Sequence, residues 1–301
     1  MMNTHTGSRI LITTFLLALM SILPNYIYAE ASVWVAKKSG NTVYLGGTIH
    51  LLRPSDYPLP QEYQVAYFNS DKIFLEADIS KMNEPALQAT IMEKFFYKAG
   101  KNLESELTPE AYQALRAYAQ KSALPIEMLA SMKPFLAIQT LIVGEFMKMG
   151  FTPAGVDAYF QEQAKNDRKT LAYFETLDEQ LGMFELMSKD AGSEFILSQL
   201  DQMHDMTSLV DKMLKVWRAG DVEQLESLFI APMIDDYPAI YNLLLKDRND
   251  RWMPAIEKMF SDQDTEFILV GAAHLVGKDG LIEQLSAQGY EVQKLELPSI
   301  N

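Results

Sequence analysis

Val43-Tyr44-Leu45-Gly46-Gly47-Thr48-Ile49-His50-Leu51 and Phe267-Ile268-Leu269-Val270-Gly271-Ala272-Ala273-His274-Leu275 are one pattern written twice, near opposite ends of the chain. Each is an apolar run followed by Gly-x-x-His and a leucine. A short apolar run closed by glycine reads as a buried strand. The glycine lets the chain turn sharply or approach another group closely. The imidazole is then delivered just past the strand's carboxyl end, the edge at which open α/β sheets bind ligands.

Working outward, strand-like runs lie at Ser32 to Ala36, Thr42 to Leu45, Lys72 to Glu76, Thr170 to Phe174, Glu266 to Val270 and Glu291 to Leu295, the second and fifth being those of the two motifs. The first two flank Lys-Lys-Ser-Gly-Asn, a hairpin signal. Helices fill the middle. One covers Glu62 to Phe68, and Thr108-Pro109-Glu110 places a capping hydroxyl before a first-turn proline, opening a helix to about Lys121. The apolar stretch Phe135 to Met149 is broken by Gln139, Glu145 and Lys148 and reads as a buried helix; Asp190 to Gly220 makes one or two helices, and Tyr237 to Phe260 another. Strands alternating with helices at both ends predict an α/β fold, a mixed β-sheet flanked by helices, with a large helical insertion at about 84–260.

The first 29 residues read as a signal peptide: Arg9, the apolar run Ile10 to Leu23, the breaker Pro24, and small residues at Ala29 and Ala31. That run of about 14 residues falls short of the roughly 20 that span a bilayer. The expected mature chain is a single domain over 30–301, exported to the periplasm or secreted, with no stable membrane span. Forty acidic against 26 basic residues, a formal charge of −14, lack the basic footprint of a nucleic-acid binder. With no cysteine there are no disulfides, thiolate zinc sites, iron–sulfur clusters or thiol nucleophiles.

Chemistry is left to His, Asp, Glu, Tyr, Ser and Arg. A strand-end histidine alone is most often a hydrogen-bonded loop residue, but His50 and His274 share one context, which a structural role alone does not favour. Neutral imidazole is the commonest protein metal ligand. Glu76, closing the run Ile73-Phe74-Leu75 and followed by Asp78, supplies a carboxylate at the same kind of position. His50, His274 and Glu76 thus make a candidate set for a divalent ion (manganese, cobalt, zinc or iron) that leaves room for water. His204, in Gln202-Met203-His204-Asp205, reads as a solvated helix residue. The methionines between Met183 and Met213 read as core packing, with a pliable substrate groove as the other option.

At these residues the chain resembles the TraB/GumN family, which is related to the Tiki metalloproteases. The likeness runs through Leu45-Gly-Gly-Thr-Ile-His50, Ser55-Asp56-Tyr57-Pro58-Leu59-Pro60 and Phe74-Leu75-Glu76-Ala77-Asp78, and closes with Val270-Gly-Ala-Ala-His274-Leu-Val-Gly277. Gly155-Val156-Asp157, Phe174-Glu175-Thr176, Gln180 and Arg248-Asn249 agree between them. The resemblance implies a Tiki/TraB-like α/β fold and a metal-dependent hydrolase, most simply a peptidase acting on a peptide or small molecule. It makes His50, His274 and Glu76 the principal site residues and Arg248 a clamp on a substrate carboxylate or oxyanion. Asn249, Asp157 and Glu175 would orient them, though Asp157 and Glu175 also suit helix-cap or salt-bridge roles and Arg248 has Asp247 and Asp250 nearby. The alternative is a non-catalytic periplasmic protein of the same fold that binds a peptide, haem or iron.

Overall fold

The computed structural model describes residues 31–297, apart from Asp262 and the side chain of Asp205. The expected signal peptide lies outside the described residues.

Six strands form one mixed sheet in the order β4-β3-β5-β2-β1-β6. They are β1 (Val33–Lys38), β2 (Asn41–Thr48), β3 (Lys72–Leu75), β4 (Thr170–Tyr173), β5 (Glu266–Gly271) and β6 (Glu291–Lys294). All six coincide with runs read from the sequence. β1 and β2 make an antiparallel hairpin through Ser39 and Gly40, both left-handed, as a two-residue hairpin loop requires. β6 pairs antiparallel with β1. The remaining pairs, β2 with β5, β5 with β3 and β3 with β4, are parallel.

β5 sits in the middle of the sheet, and Glu266 to Val270 are all buried, which explains its unbroken apolar run. Phe267 is enclosed by the rings of Tyr63 from the helix Gln61–Phe68 and Phe160 from the helix Val156–Asp167. Trp217 from the helix Met206–Ala219 lies tilted against Tyr63 in turn. The same core takes in Trp252, Met253, Ile256 and Met259 of the helix Asp247–Met259.

The stretch 84–260 is mostly helical, interrupted by β4. Its helices own a second core, in which Leu115 and Ala119 meet Ile138, Leu141, Ile196 and Leu200. A third cluster, around Phe95, Phe135, Leu177 and Leu181, adjoins it through Phe195. Thr108 accepts from the Ala111 amide at the start of Pro109–Lys121, as its cap signal predicts. Asp190 to Gly220 resolves into two helices, Ser193–Gln202 and Met206–Ala219, joined by a 3-10 turn that carries exposed His204. No helix among the described residues is long and apolar enough to cross a membrane.

Candidate active site

Four parallel strands finish side by side and in register: Tyr173 opposite Leu75, Leu75 opposite Leu269, and Gly271 opposite Thr48. Just past those ends the chain carries Glu175, Glu76, His274 and His50, in that order along the sheet edge. The two Gly-x-x-His motifs pack directly on each other. A side chain added at Gly47 would press within 3.1 Å of the Ala272 methyl, so the first motif needs glycine to lie against the second. The Gly47 carbonyl is pinned from below by the Tyr63 hydroxyl at 2.5 Å and the Trp217 indole at 2.8 Å. Gly271 opens space for Glu76 and donates its amide to Oε1 at 2.7 Å.

His50 is set by the start of the helix Val156–Asp167. Val156 donates its amide to the Ile49 carbonyl, and a Cβ on Gly155 would fall far inside contact of the Ile49 and His50 backbone. One residue into that helix, Asp157 places Oδ2 3.0 Å from His50 Nδ1. The Asp157 carboxylate raises the imidazole to about 9 against the opposing effect of burial, while the ring keeps 67% of its surface exposed and shares that pull with solvent. The Asp157 carboxylate thus favours the cationic imidazole, with a proton on both nitrogens.

His274 has the opposite character. Its side chain is 4% exposed, and burial, opposed by Glu76 and assisted by Arg248 and His50, lowers it to about 3. Its tautomer follows from its neighbours. Arg248 Nη1, which can only donate, lies 2.9 Å from Nε2, so Nε2 presents a lone pair. Nδ1 then donates to Asn249 Oδ1 at 2.7 Å, and the Asn249 amide nitrogen is spent on the carbonyls of His274 and Asp279. Trp252 covers the ring at a centroid separation of 4.5 Å.

Between these histidines runs a buried charge network. Burial alone would raise Glu76, but His274, Arg248, His50 and the Gly271 amide outweigh it and hold the carboxyl down to about 2. Because burial holds His274 neutral, Arg248, His50 and the Gly271 amide are the lasting influences. Arg248 Nη2 reaches Glu76 Oε2 at 2.5 Å and Glu175 Oε2 at 2.8 Å, Nε reaches both Glu175 oxygens at 3.0 Å, and Nη1 also donates to the Leu244 carbonyl. Every N–H of this guanidinium is engaged within the protein. Asp247 and Asp250, its sequence neighbours, are not its partners here; Asp250 pairs with Lys246. Glu175 further accepts from Arg251 and the Trp252 indole.

His50, Glu76, Arg248 and His274 line one cavity of about 280 Å³. Asp157, Asn249 and Glu175 stand behind them. Asp78 turns elsewhere, capping the next turn through Ser80 and accepting from Gln161. Sequence reading missed the cavity's apolar wall: Phe184, Phe229, Met233, Leu244 and Leu245, together with Met183, which it weighed mainly as core. Phe229, Leu244 and Leu245 come from two π-helical turns, Glu226–Ile230 and Asn242–Lys246, an irregularity with no single-sequence signature that is frequent at functional sites. Gln180, within the motif pieces noted above, donates to Glu76 Oε2 at 3.3 Å. Trp252, one turn beyond Arg248, was not foreseen either.

The donor chemistry of His50, His274 and Glu76 suits a divalent cation. Each imidazole has Nδ1 engaged by a side-chain oxygen, the arrangement that orients metal-bound histidine, and Glu76 is ionised. As the side chains stand, no cluster of three or more His, Asp or Glu groups among the described residues is drawn in to metal-binding distance, and Arg248 bridges Glu76 and His274.

The family model described as the TraB/PrgY/gumN family matches residues 32–294. The uncharacterized protein YbaP of Escherichia coli strain K12 is 23% identical over 259 residues, covering 86% of this chain and 93% of its own length. YbaP of Shigella flexneri is 23% identical over 243 residues, 80% of this chain and 87% of its own. No solved structure gives a significant match.

Proposed function

Because the chain belongs to the TraB/PrgY/gumN family, we propose that it is an exported hydrolase, a peptidase of the Tiki type, working with a divalent cation held by His50, His274 and Glu76. The observation that carries this reading is the convergence of both Gly-x-x-His imidazoles and a strand-end carboxylate on one cavity, from three adjacent parallel strands. A bound cation would polarise the scissile carbonyl and lower the pKa of its water.

The chain's own groups do the rest. Asp157 orients His50, whose Nε2 proton must leave before that nitrogen can ligate, so binding releases a proton. Asn249 fixes the His274 tautomer with the Nε2 lone pair toward the cavity. Glu76 contributes the negative charge, aimed by the Gln180 side chain and the Gly271 amide. Phe184, Phe229, Met233 and Leu244 exclude water and receive an apolar part of the substrate.

Protein lacking its first 29 residues should cleave unstructured peptides with added manganese or cobalt, and chelator should abolish cleavage. Turnover surviving in His50→Ala/His274→Ala would overturn the assignment. Stoichiometric capture of a peptide or a haem-like ligand with no product would make the protein a binder instead.

A further inference from the structure

We infer that Arg248 is a resident cation that occupies the metal's two buried donors until a divalent ion displaces it. This rests on the metal-dependent reading above and adds how loading of that site is controlled.

The guanidinium makes two kinds of contact. On one side it is tethered: Nε and Nη2 reach Glu175, and Nη1 reaches the Leu244 carbonyl one turn back on its own helical segment. Glu175 is itself held by Arg251 and the Trp252 indole, so the tether does not depend on Arg248 alone. On the other side Nη1 takes the His274 Nε2 lone pair and Nη2 takes Glu76 Oε2. Those are the atoms a cation would need. Giving up these two contacts leaves the Glu175 attachment intact, so a modest swing of the side chain suffices.

Charge dictates the competition. Glu76 and Glu175 are 12% and 3% exposed, and without Arg248 Glu76 would lose its one ion-paired cation while Glu175 kept only half-exposed Arg251. Arg248 supplies that compensation where the side chains now stand. A divalent ion next to a fixed guanidinium would meet strong repulsion at interior dielectric. Ion and guanidinium therefore cannot both hold Glu76 and His274, and loading needs enough free metal to displace Arg248.

The displacement carries its own signal, because the guanidinium carbon lies 4.8 Å from the Trp252 ring centroid. Manganese titration of the metal-free wild type should change Trp252 emission in step with calorimetric binding, and Trp252→Phe should lose that change while still binding. Arg248→Met should bind manganese about tenfold tighter or more, since a like charge this near is worth at least that. It should also gain more thermal stability from the ion than the wild type does. Equal affinity of Arg248→Met and wild type would overturn the inference while leaving the metal site standing. Absence of binding to both would overturn the metal reading and the inference with it. If Arg248→Met does not fold, Arg248→Gln replaces it, with the same gain in affinity expected and equal affinity again overturning the inference.

Discussion

The imidazole of His50 is coupled to Asp157, with Nδ1 and Oδ2 3.0 Å apart, across a junction where the first Gly-x-x-His motif meets the start of the helix Val156–Asp167. That carboxylate is the main reason His50 titrates at about 9. Asp157→Asn removes the charge and keeps the shape. Its His50 resonance, followed by NMR, should titrate well below the wild-type value and close to the ordinary histidine range of about 6.5. Unchanged titration would mean that Asp157 does not set the proton affinity of His50.

Gly155→Ala tests the same junction sterically. Gly155 has φ −78° and ψ −178°, which alanine adopts freely, so any cost comes from the methyl meeting the Ile49 and His50 backbone. Overpacking of this kind costs about 1–3 kcal/mol. Denaturant unfolding should register that loss, and peptide turnover should fall further than stability does because His50 is the group displaced.

Glu175→Gln removes the charge that anchors Arg248 and also pairs with Arg251. Breaking a buried ion pair from one side costs about 3–5 kcal/mol. The loss should appear in chemical denaturation, with Arg251→Ala far milder because the Arg251 side chain is 56% exposed.

Acid should destabilise the metal-free protein in two overlapping steps. His274 titrates at about 3 in the fold against 6.5 ordinarily, so below pH 6.5 the unfolded chain takes up the proton first. Stability then falls by up to ~1.4 kcal/mol for each pH unit traversed. Glu76, at about 2 in the fold against 4.5 ordinarily, adds its share as pH drops through that lower window. His50 acts at the other end: its folded value of about 9 lies above 6.5, so its contribution is full below 6.5 and lost as pH rises through 9. Solvent at its exposed ring keeps that loss small. A stability profile flat between pH 6.5 and 4 would contradict a neutral, buried His274.

The strands were legible because their signal is local. Ile73-Phe74-Leu75 and Phe267 to Val270 are apolar runs bounded by polar or glycine residues, and a sheet buried on both faces demands such runs. The histidine pair was legible for the same reason, since each imidazole sits at a fixed short distance from its own strand. The apolar wall was not. Phe229 and Leu244 reach the cavity through π-helical turns, and a helix-spaced apolar residue reads the same whether it faces a core or a cleft. Arg248 illustrates the limit most sharply: its sequence neighbours Asp247 and Asp250 offered ready partners, yet it pairs with Glu76 and Glu175 from distant strand ends.

The sequence by itself determined the strands, the two glycine-histidine turns and the residue types available for chemistry, because strand pattern, turn propensity and side-chain identity are properties of short stretches. Strand order and pairing were decided only in three dimensions, by which apolar faces bury against each other. That order set Glu175, Glu76, His274 and His50 along one edge, and the packing of Asp247–Met259 against it delivered Arg248 among them. Protonation followed from this assembly: two histidines in near-identical local sequence hold their protons at about 9 and about 3, since one meets a carboxylate beside solvent and the other a guanidinium in the dry interior.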